Sequence, residues 1–420
     1  MFTKSTFPNG LRLITSSMPH TRSVSIGFYV GAGSRYETPE QAGISHFVEH
    51  MLFKGTAKRP RPEDVSGAIE GVGGMQNAST DREVTAYWCK VARPHFDMGM
   101  DVLLDMIHGS TFAPEEIEKE RGVIIEELSQ VQDNPGEVAS LLIDELMWPD
   151  QPLGRDIAGT RETVVGISRA MLLEYMQHQY SAANTVVTVT GNVEHDEVVA
   201  ALADSMGKWA THNPAPMLPV EAAPDSDRLR VKQRRSEQAH VCVAVPGLHG
   251  DHPDRYVLGL LCTALGEGMT SRLFLDIRER RGLAYDVHSY LSYFQDTGSL
   301  NIYAGVDPKN AAETLSAVLD QLYRLSDGLA PEELHKVREL LKGRMLLRME
   351  DTRSVMSWLG PQELLNGEIK TVDDIVAELD KVTEDDLRRV GKAVIGGSVA
   401  RAAIVGPFRS DKAFRKALAI

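Results

Sequence analysis

Two histidines and a glutamate stand close together in Ser45-His46-Phe47-Val48-Glu49-His50-Met51-Leu52-Phe53. On a helix, side chains four apart lie on one face about one turn apart, so His46 and His50 can chelate a single ion. Imidazoles at that separation suit Zn²⁺, whose Zn–N bonds run about 2.0–2.1 Å. Glu49 falls beside such an ion without needing to bind it, where a carboxylate can take a proton from water at the metal. In a chain with 13 His and 59 acidic residues, His-x-x-acid-His arises by chance only about 0.06 times. The bland alternative, an exposed helix face with two histidines, calls for polar neighbours. Phe47, Val48, Met51, Leu52 and Phe53 surround these instead, and burying imidazole without a partner costs free energy.

Catalytic zinc takes three protein ligands and keeps one position open. The helical pattern after Pro114 offers Glu115, Glu116, Glu118, Glu120, Glu126 and Glu127. Glu120 and Glu127 share a face, but about 10.5 Å of helix rise separates them, so one ion cannot be held directly by both. One is a ligand and the other an outer support. Glu126, one position away, competes with Glu127 for the ligand role.

These residues need a scaffold, and the rest of the sequence supplies one. The 420 residues are 42% hydrophobic and 25% charged, which excludes a disordered, fibrous or disulfide-stapled chain. A net charge of −14 gives a polyanion such as DNA a repulsive mean field, so no nucleic acid is expected. Cys89, Cys242 and Cys262 sit in apolar stretches without paired spacing and read as small buried hydrophobes in a reducing compartment. No apolar run reaches the roughly 20 residues of a membrane helix, and the start has no basic-then-apolar signal organisation. The expectation is a cytoplasmic protein.

The chain also repeats itself. Ala113-Pro114-Glu115-Glu116 recurs as Ala330-Pro331-Glu332-Glu333, and Thr163-Val164-x-x-Ile167 as Thr371-Val372-x-x-Ile375. Each copy ends in a β-branched run closing on glycine, at Gly191 and Gly406. All three offsets are near half the chain length, which argues for one unit used twice. Four prolines between Thr211 and Asp227 stiffen a linker. The expected division is therefore 1–210, a linker over 211–227, and 228–420. Val24–Val30 and Val84–Val91 read as strands; Ala42–Phe53, Pro62–Val72, Asp97–His108 and Pro114–Gln132 read as helices. Strands followed by groups of helices predict an α+β fold: two homologous domains, each a mostly antiparallel sheet covered by helices on one face.

Taken together the motifs resemble the pitrilysin/insulinase metallopeptidases, the inverzincins, whose His-x-x-Glu-His reverses the commoner zincin order. The interval from His50 to Glu127 is also the one that the family pattern uses. The resemblance spans the whole chain and is to short two-domain members such as the mitochondrial processing peptidase beta subunit. It implies that His46, His50 and Glu127 bind Zn²⁺, that Glu49 is the general base, and that Glu120 supports the metal from outside. Gly73-Gly74-Met75-Gln76-Asn77-Ala78-Ser79-Thr80 resembles the family's strand beside the zinc, which implies substrate-backbone contacts at Asn77 and Ala78. Ser271 to Tyr285 resembles the family's Arg–Tyr substrate segment and implies Arg278 and Tyr285, with Arg280 and Arg281 as close competitors. Aligning the copies puts Arg272, Leu275 and Asp276 where His46, Glu49 and His50 stand, so the second copy has no zinc set.

The same resemblance implies a zinc endopeptidase for unfolded peptides, enclosed in a chamber formed by paired subunits. A homodimer suffices because all the motifs coexist here, and a heterodimer with an inactive homologue is the variant arrangement. Two other uses of the fold compete with this one: a non-catalytic scaffold or assembly subunit, and a presequence-processing peptidase subunit.

Overall fold

The computed structural model describes residues 2–419 except 204, 206, 207, 210, 212 and 222–227. The end of the expected linker, 222–227, lies outside the described residues. Among the described residues no helix is long and apolar enough to cross a membrane.

The first half begins with strands β1 (Thr3–Thr6), β2 (Arg12–Ser17) and β3 (Ser23–Val30), followed by helices α1 (Ile44–Met51) and α2 (Pro62–Glu70). Strands β4 (Met75–Thr80) and β5 (Thr85–Ala92) lead to helices α3 (Phe96–Gly109), α4 (Pro114–Asp133), α5 (Pro135–Met147), α6 (Arg161–Gly166) and α7 (Arg169–Gln179). Strand β6 (Thr185–Gly191) and helix α8 (His195–Ala203) close it. The second half runs β7 (Leu229–Gln233), β8 (Ala239–Pro246), α9 (Arg255–Gly266), a π-helical stretch Phe274–Arg280, β9 (Ala284–Tyr293) and β10 (Gly298–Val306). It ends with α10 (Ala311–Arg324), α11 (Pro331–Arg348), α12 (Thr352–Asn366), α13 (Val372–Lys381), α14 (Glu384–Val390), β11 (Arg401–Gly406) and α15 (Lys412–Ala417).

The strands form two sheets, β1-β2-β6-β3-β5-β4 and β7-β11-β8-β10-β9. Each has one parallel pair, β2/β6 and β7/β11, and is otherwise antiparallel. Apart from β1, the second sheet repeats the order of the first, as the internal sequence repeat implies. The α+β class stands as expected, with most helices gathered on one face of their sheet.

The chain divides into two compact units that are not its sequence halves. One comprises Met1–Leu128, Asp156–Leu218 and Leu346–Thr371; the other comprises Ser129–Arg155, Pro219–Met345 and Val372–Ile420. Each sheet thus receives one helix from the opposite half of the sequence. In the first unit, α12 covers the second face of β3 and β6. Its Met356 and Leu359 pack with Ile14, Tyr29, Trp88 and Val186. Thr352 stitches the start of α12 to β3 through Ser25 at 2.9 Å and to β6 through Thr190 at 2.5 Å. Gly360 lies so close to the Tyr29 ring that a Cβ would come within 2.2 Å of it, which explains the glycine in mid-helix. With both faces covered, β3 and β6 are buried almost throughout and lose the alternation of a one-sided strand. In the second unit, α5 packs Val138, Ala139, Ile143 and Met147 against Cys242, Ala244, Ala403 and Val405 of β8 and β11.

The larger core of the first unit fills the other face of its sheet. Val24, Ile26, Phe28 and Val30 of β3 meet Phe47, Val48, Met51 and Leu52 around α1, with Ile117 and Ile124 of α4 behind them. This packing fixes the phase of α1 and α4, and so decides where their polar residues point.

Candidate metal centre

Burial of Ile44, Phe47, Val48, Met51 and Leu52 turns the remaining face of α1, with His46, Glu49 and His50, away from the core. The start of the helix is held from outside. The buried Glu37 carboxylate accepts the Gly43 and Ser45 N–H groups, both at 2.9 Å, and the Ser45 hydroxyl at 2.6 Å. A carboxylate there also suits the positive end of the helix dipole. Gly43 takes φ 95, and a Cβ would come within 2.5 Å of the Ala158 carbonyl, so only glycine fits the turn into α1.

Helix α4 buries Ile117, Glu120 and Ile124 as one stripe. Glu127 continues that stripe at its exposed end, and Glu126 falls outside it on the solvent side. The structure thus brings Glu127, and not Glu126, to the histidines. His46 Nε2 and His50 Nε2 are 3.2 Å apart, and Glu127 Oε2 is 3.8 and 3.5 Å from them. These three donors lie on a circle of about 2.0 Å radius, so a point among them is one Zn–N bond length, about 2.0–2.1 Å, from all three. Among the described residues this is the one group of three or more His, Cys, Asp or Glu side chains close enough to share an ion. The donor set of two imidazoles and a carboxylate fits zinc.

The surroundings prepare the donors. His50 Nδ1–H donates to Glu120 Oε2 at 3.0 Å, which fixes the tautomer and leaves the Nε2 lone pair for an ion. Burial, and then the neighbouring His50, lower the pKa of His46 to about 4, so its ring is neutral at pH 7. His46 Nδ1 is buried without a hydrogen-bond partner among the described residues. Glu120 also receives Lys54 Nζ at 2.8 Å. It stands behind the cluster as an outer support and outside the ligand set. Glu49 accepts the Thr80 hydroxyl at 2.5 Å and the Thr80 backbone N–H. Burial raises its pKa against the lowering effect of those bonds, which makes it a stronger base than a solvated carboxylate.

Asn77 and Ala78 lie in β4, which among the described residues pairs only with β5 and has no strand on its other edge. The Ala78 N–H is taken by Asn77 Oδ1 at 2.9 Å and the Thr80 N–H by Glu49. Because amides alternate in direction along a strand, the groups of Gln76, Ala78 and Thr80 face away from β5. In the other unit, Arg278 lies in the π-helical stretch and Tyr285 at the start of β9. The Arg278 guanidinium stacks on both the Phe274 and Tyr285 rings, at 4.7 and 5.0 Å. It has no ion pair among the described residues, whereas Arg281 is engaged by Asp276 at 3.1 Å. Tyr285 is 76% exposed.

Sequence reasoning passed over Thr80, Glu37 and Lys54. Lys54 carried no helical-face signal, since it lies in the bend just after α1. Glu37 and Thr80 reach α1 from elements whose placement no local pattern gives.

The family described as "Insulinase (Peptidase family M16)" matches residues 12–161, and the one described as "Peptidase M16 inactive domain" matches residues 166–341. A protein of Streptomyces coelicolor described as an uncharacterized zinc protease is 38% identical over 98% of this chain and 91% of its own length. One of Bacillus subtilis with the same description is 36% identical over 96% and 98%. Among solved structures, a peptidase M16 inactive domain from Pseudomonas fluorescens superposes with TM-score 0.90 at 18% identity, covering 97% of this chain and 99% of its own. A protease from Helicobacter pylori gives 0.89 at 20% identity, with the same coverage. At those identities the structures speak for the fold alone.

Proposed function

The chain belongs to the insulinase family of peptidases, M16, and we propose that it is a zinc-dependent endopeptidase acting on unfolded peptides. The observation that carries this reading is the convergence of His46, His50 and Glu127 around one point at zinc-bond distance. His46, His50 and Glu127 hold the ion, and Glu120 orients His50. Zinc held there supplies Lewis acidity, which makes water a stronger acid and polarises a peptide carbonyl.

The remaining work falls to the chain's own groups. Glu49 takes the proton of the attacking water and passes it to the leaving amine. Thr80 holds the Glu49 carboxylate in place for both transfers. The free edge of β4 takes the substrate as an added strand, a sequence-tolerant way to grip a peptide backbone. There an incoming carbonyl replaces Asn77 Oδ1 on the Ala78 N–H. Arg278 and Tyr285 are assigned to the substrate by resemblance, Arg278 to a peptide carbonyl and Tyr285 to the developing oxyanion. A guanidinium stacked on two rings and free of carboxylates keeps its donors for such a contact.

We assign the enzyme to a homodimer whose subunits enclose the substrate, following the same resemblance. Three buried, unpaired cysteines suit a reducing, cytoplasmic setting. Two measurements test the proposal. The Glu49→Gln variant should retain one zinc per chain and lose peptidase activity by a factor of 10² or more, on the order of general-base catalysis. A fully active variant refutes the mechanism. In solution the mass should be that of a dimer, and a strict monomer that cleaves peptides refutes the chamber.

A further inference from the structure

Behind the histidine pair stands a lysine to which neither the motif nor the resemblance gives a role. Lys54 follows α1 and presents its ammonium to Glu120 Oε1 at 2.8 Å, while Glu120 Oε2 accepts His50 Nδ1–H at 3.0 Å. The two carboxylate oxygens are thus divided between the lysine and the ligand histidine. Glu120 is only 5% exposed. A buried carboxylate with a single neutral donor is costly, and a cation on its second oxygen offsets much of that cost.

The backbone that carries Lys54 is fixed to the approach of α4, the helix that bears Glu120. Thr56 bridges to Ser110, the Thr111 N–H donates to the Gly55 carbonyl at 3.2 Å, and Ser110 Oγ donates to the Leu52 carbonyl at 3.4 Å. Lys54 and Glu120 are therefore set against each other by main-chain pairing, and their contact does not depend on a floppy surface side chain. Lys54 is itself partly covered, with a quarter of its side chain exposed.

We infer that Lys54 is a positioning residue for the metal centre: it pins the Glu120 carboxylate so that Glu120 orients His50 Nε2 toward the ion. The inference rests on the zinc reading above and goes beyond it by naming a third link, Lys54–Glu120–His50. Outer partners of metal-binding histidines are worth about 10- to 100-fold in metal affinity, and a residue acting through such a partner has that range as its ceiling.

The test is zinc binding by the full-length protein, measured in competition with a chromogenic chelator, so that it does not depend on turnover. Lys54→Met keeps the stem and removes the charge, and should weaken zinc binding about tenfold. Lys54→Arg should restore most of the affinity, which a merely structural role for the stem would not require. Lys54→Gln, a milder change in case the methionine variant folds poorly, should fall between Lys54→Met and the unaltered protein. Glu120→Gln should weaken binding by about 10- to 100-fold, and Lys54→Met added to it should cost little more. Unchanged affinity in Lys54→Met or Lys54→Gln, or losses that multiply in the double variant, overturns the role of Lys54 and leaves the zinc reading standing. An unaltered protein that takes up no zinc overturns both.

Discussion

Thr80, the last residue of β4, donates its hydroxyl to Glu49 at 2.5 Å. The edge strand β4 and the Glu49 carboxylate are therefore coupled, and on the proposal above a peptide added to that edge would lie in register with the base. Thr80→Val keeps the side-chain shape and removes the donor. We expect kcat on a quenched peptide to fall about tenfold, a loss of orientation at the reacting centre, with zinc content unchanged. A drop in zinc content instead would mean that Thr80 serves the metal.

The choice between the two adjacent glutamates of α4 is open to direct measurement. Glu127 reaches both histidines, while Glu126 faces solvent. Glu127→Gln should weaken zinc binding by more than about 100-fold, beyond what loss of an outer partner causes, and Glu126→Gln should leave it unchanged. Chelator competition reads both, and the opposite ranking would reassign the ligand.

A histidine outside the His46–His50–Glu127 cluster should set part of the acid sensitivity. Burial, and then Lys208, lower the pKa of His108 to about 4, and its ring packs edge-on against Trp209. Below about pH 6.5 the unfolded chain binds a proton that the folded one refuses, so stability falls from pH 6.5 towards 4 and is fully present above. The slope from this group reaches at most about 1.4 kcal/mol per pH unit. His108→Phe keeps the ring contact and should flatten the fall. Urea midpoints at pH 7, 6 and 5 for both proteins would show it, and parallel curves would deny it.

The first unit also contains a fully buried ion pair. Arg35 is 0% exposed, pairs with Glu83, and donates through Nε and Nη2 to the Leu218 carbonyl at 3.3 and 3.2 Å. Arg35→Met removes one member of this buried pair and should cost about 3–5 kcal/mol of unfolding free energy. A change under about 1 kcal/mol in chemical denaturation would mean that water reaches Glu83 and solvates it.

Much of the metal centre was legible because it is written locally. The four-residue spacing of His46 and His50 and the apolar neighbours of Glu49 fix a helix face on their own. Helical phase puts Glu127 on the face of Glu120 once α4 is recognised, and the resemblance picks Glu127 as the ligand. The internal repeat foretold two sheets of the same order, and the helices expected over Pro62–Val72 and Pro114–Gln132 end within two residues of those observed. What stayed hidden is long-range. Nothing near Met356 says that α12 will cover β3, and nothing near Thr80 says that its hydroxyl will meet a helix 31 residues earlier. The full burial of Thr185–Gly191 follows from that same distant helix.

The exchange of α5 and α12 ties the fate of each half to the other. A fragment ending at Leu218 would lack Leu346–Thr371 and bare the Tyr29, Trp88 and Val186 surface to water. Such a piece invites aggregation. Through these two borrowed helices, neither sheet is covered by its own half of the sequence alone.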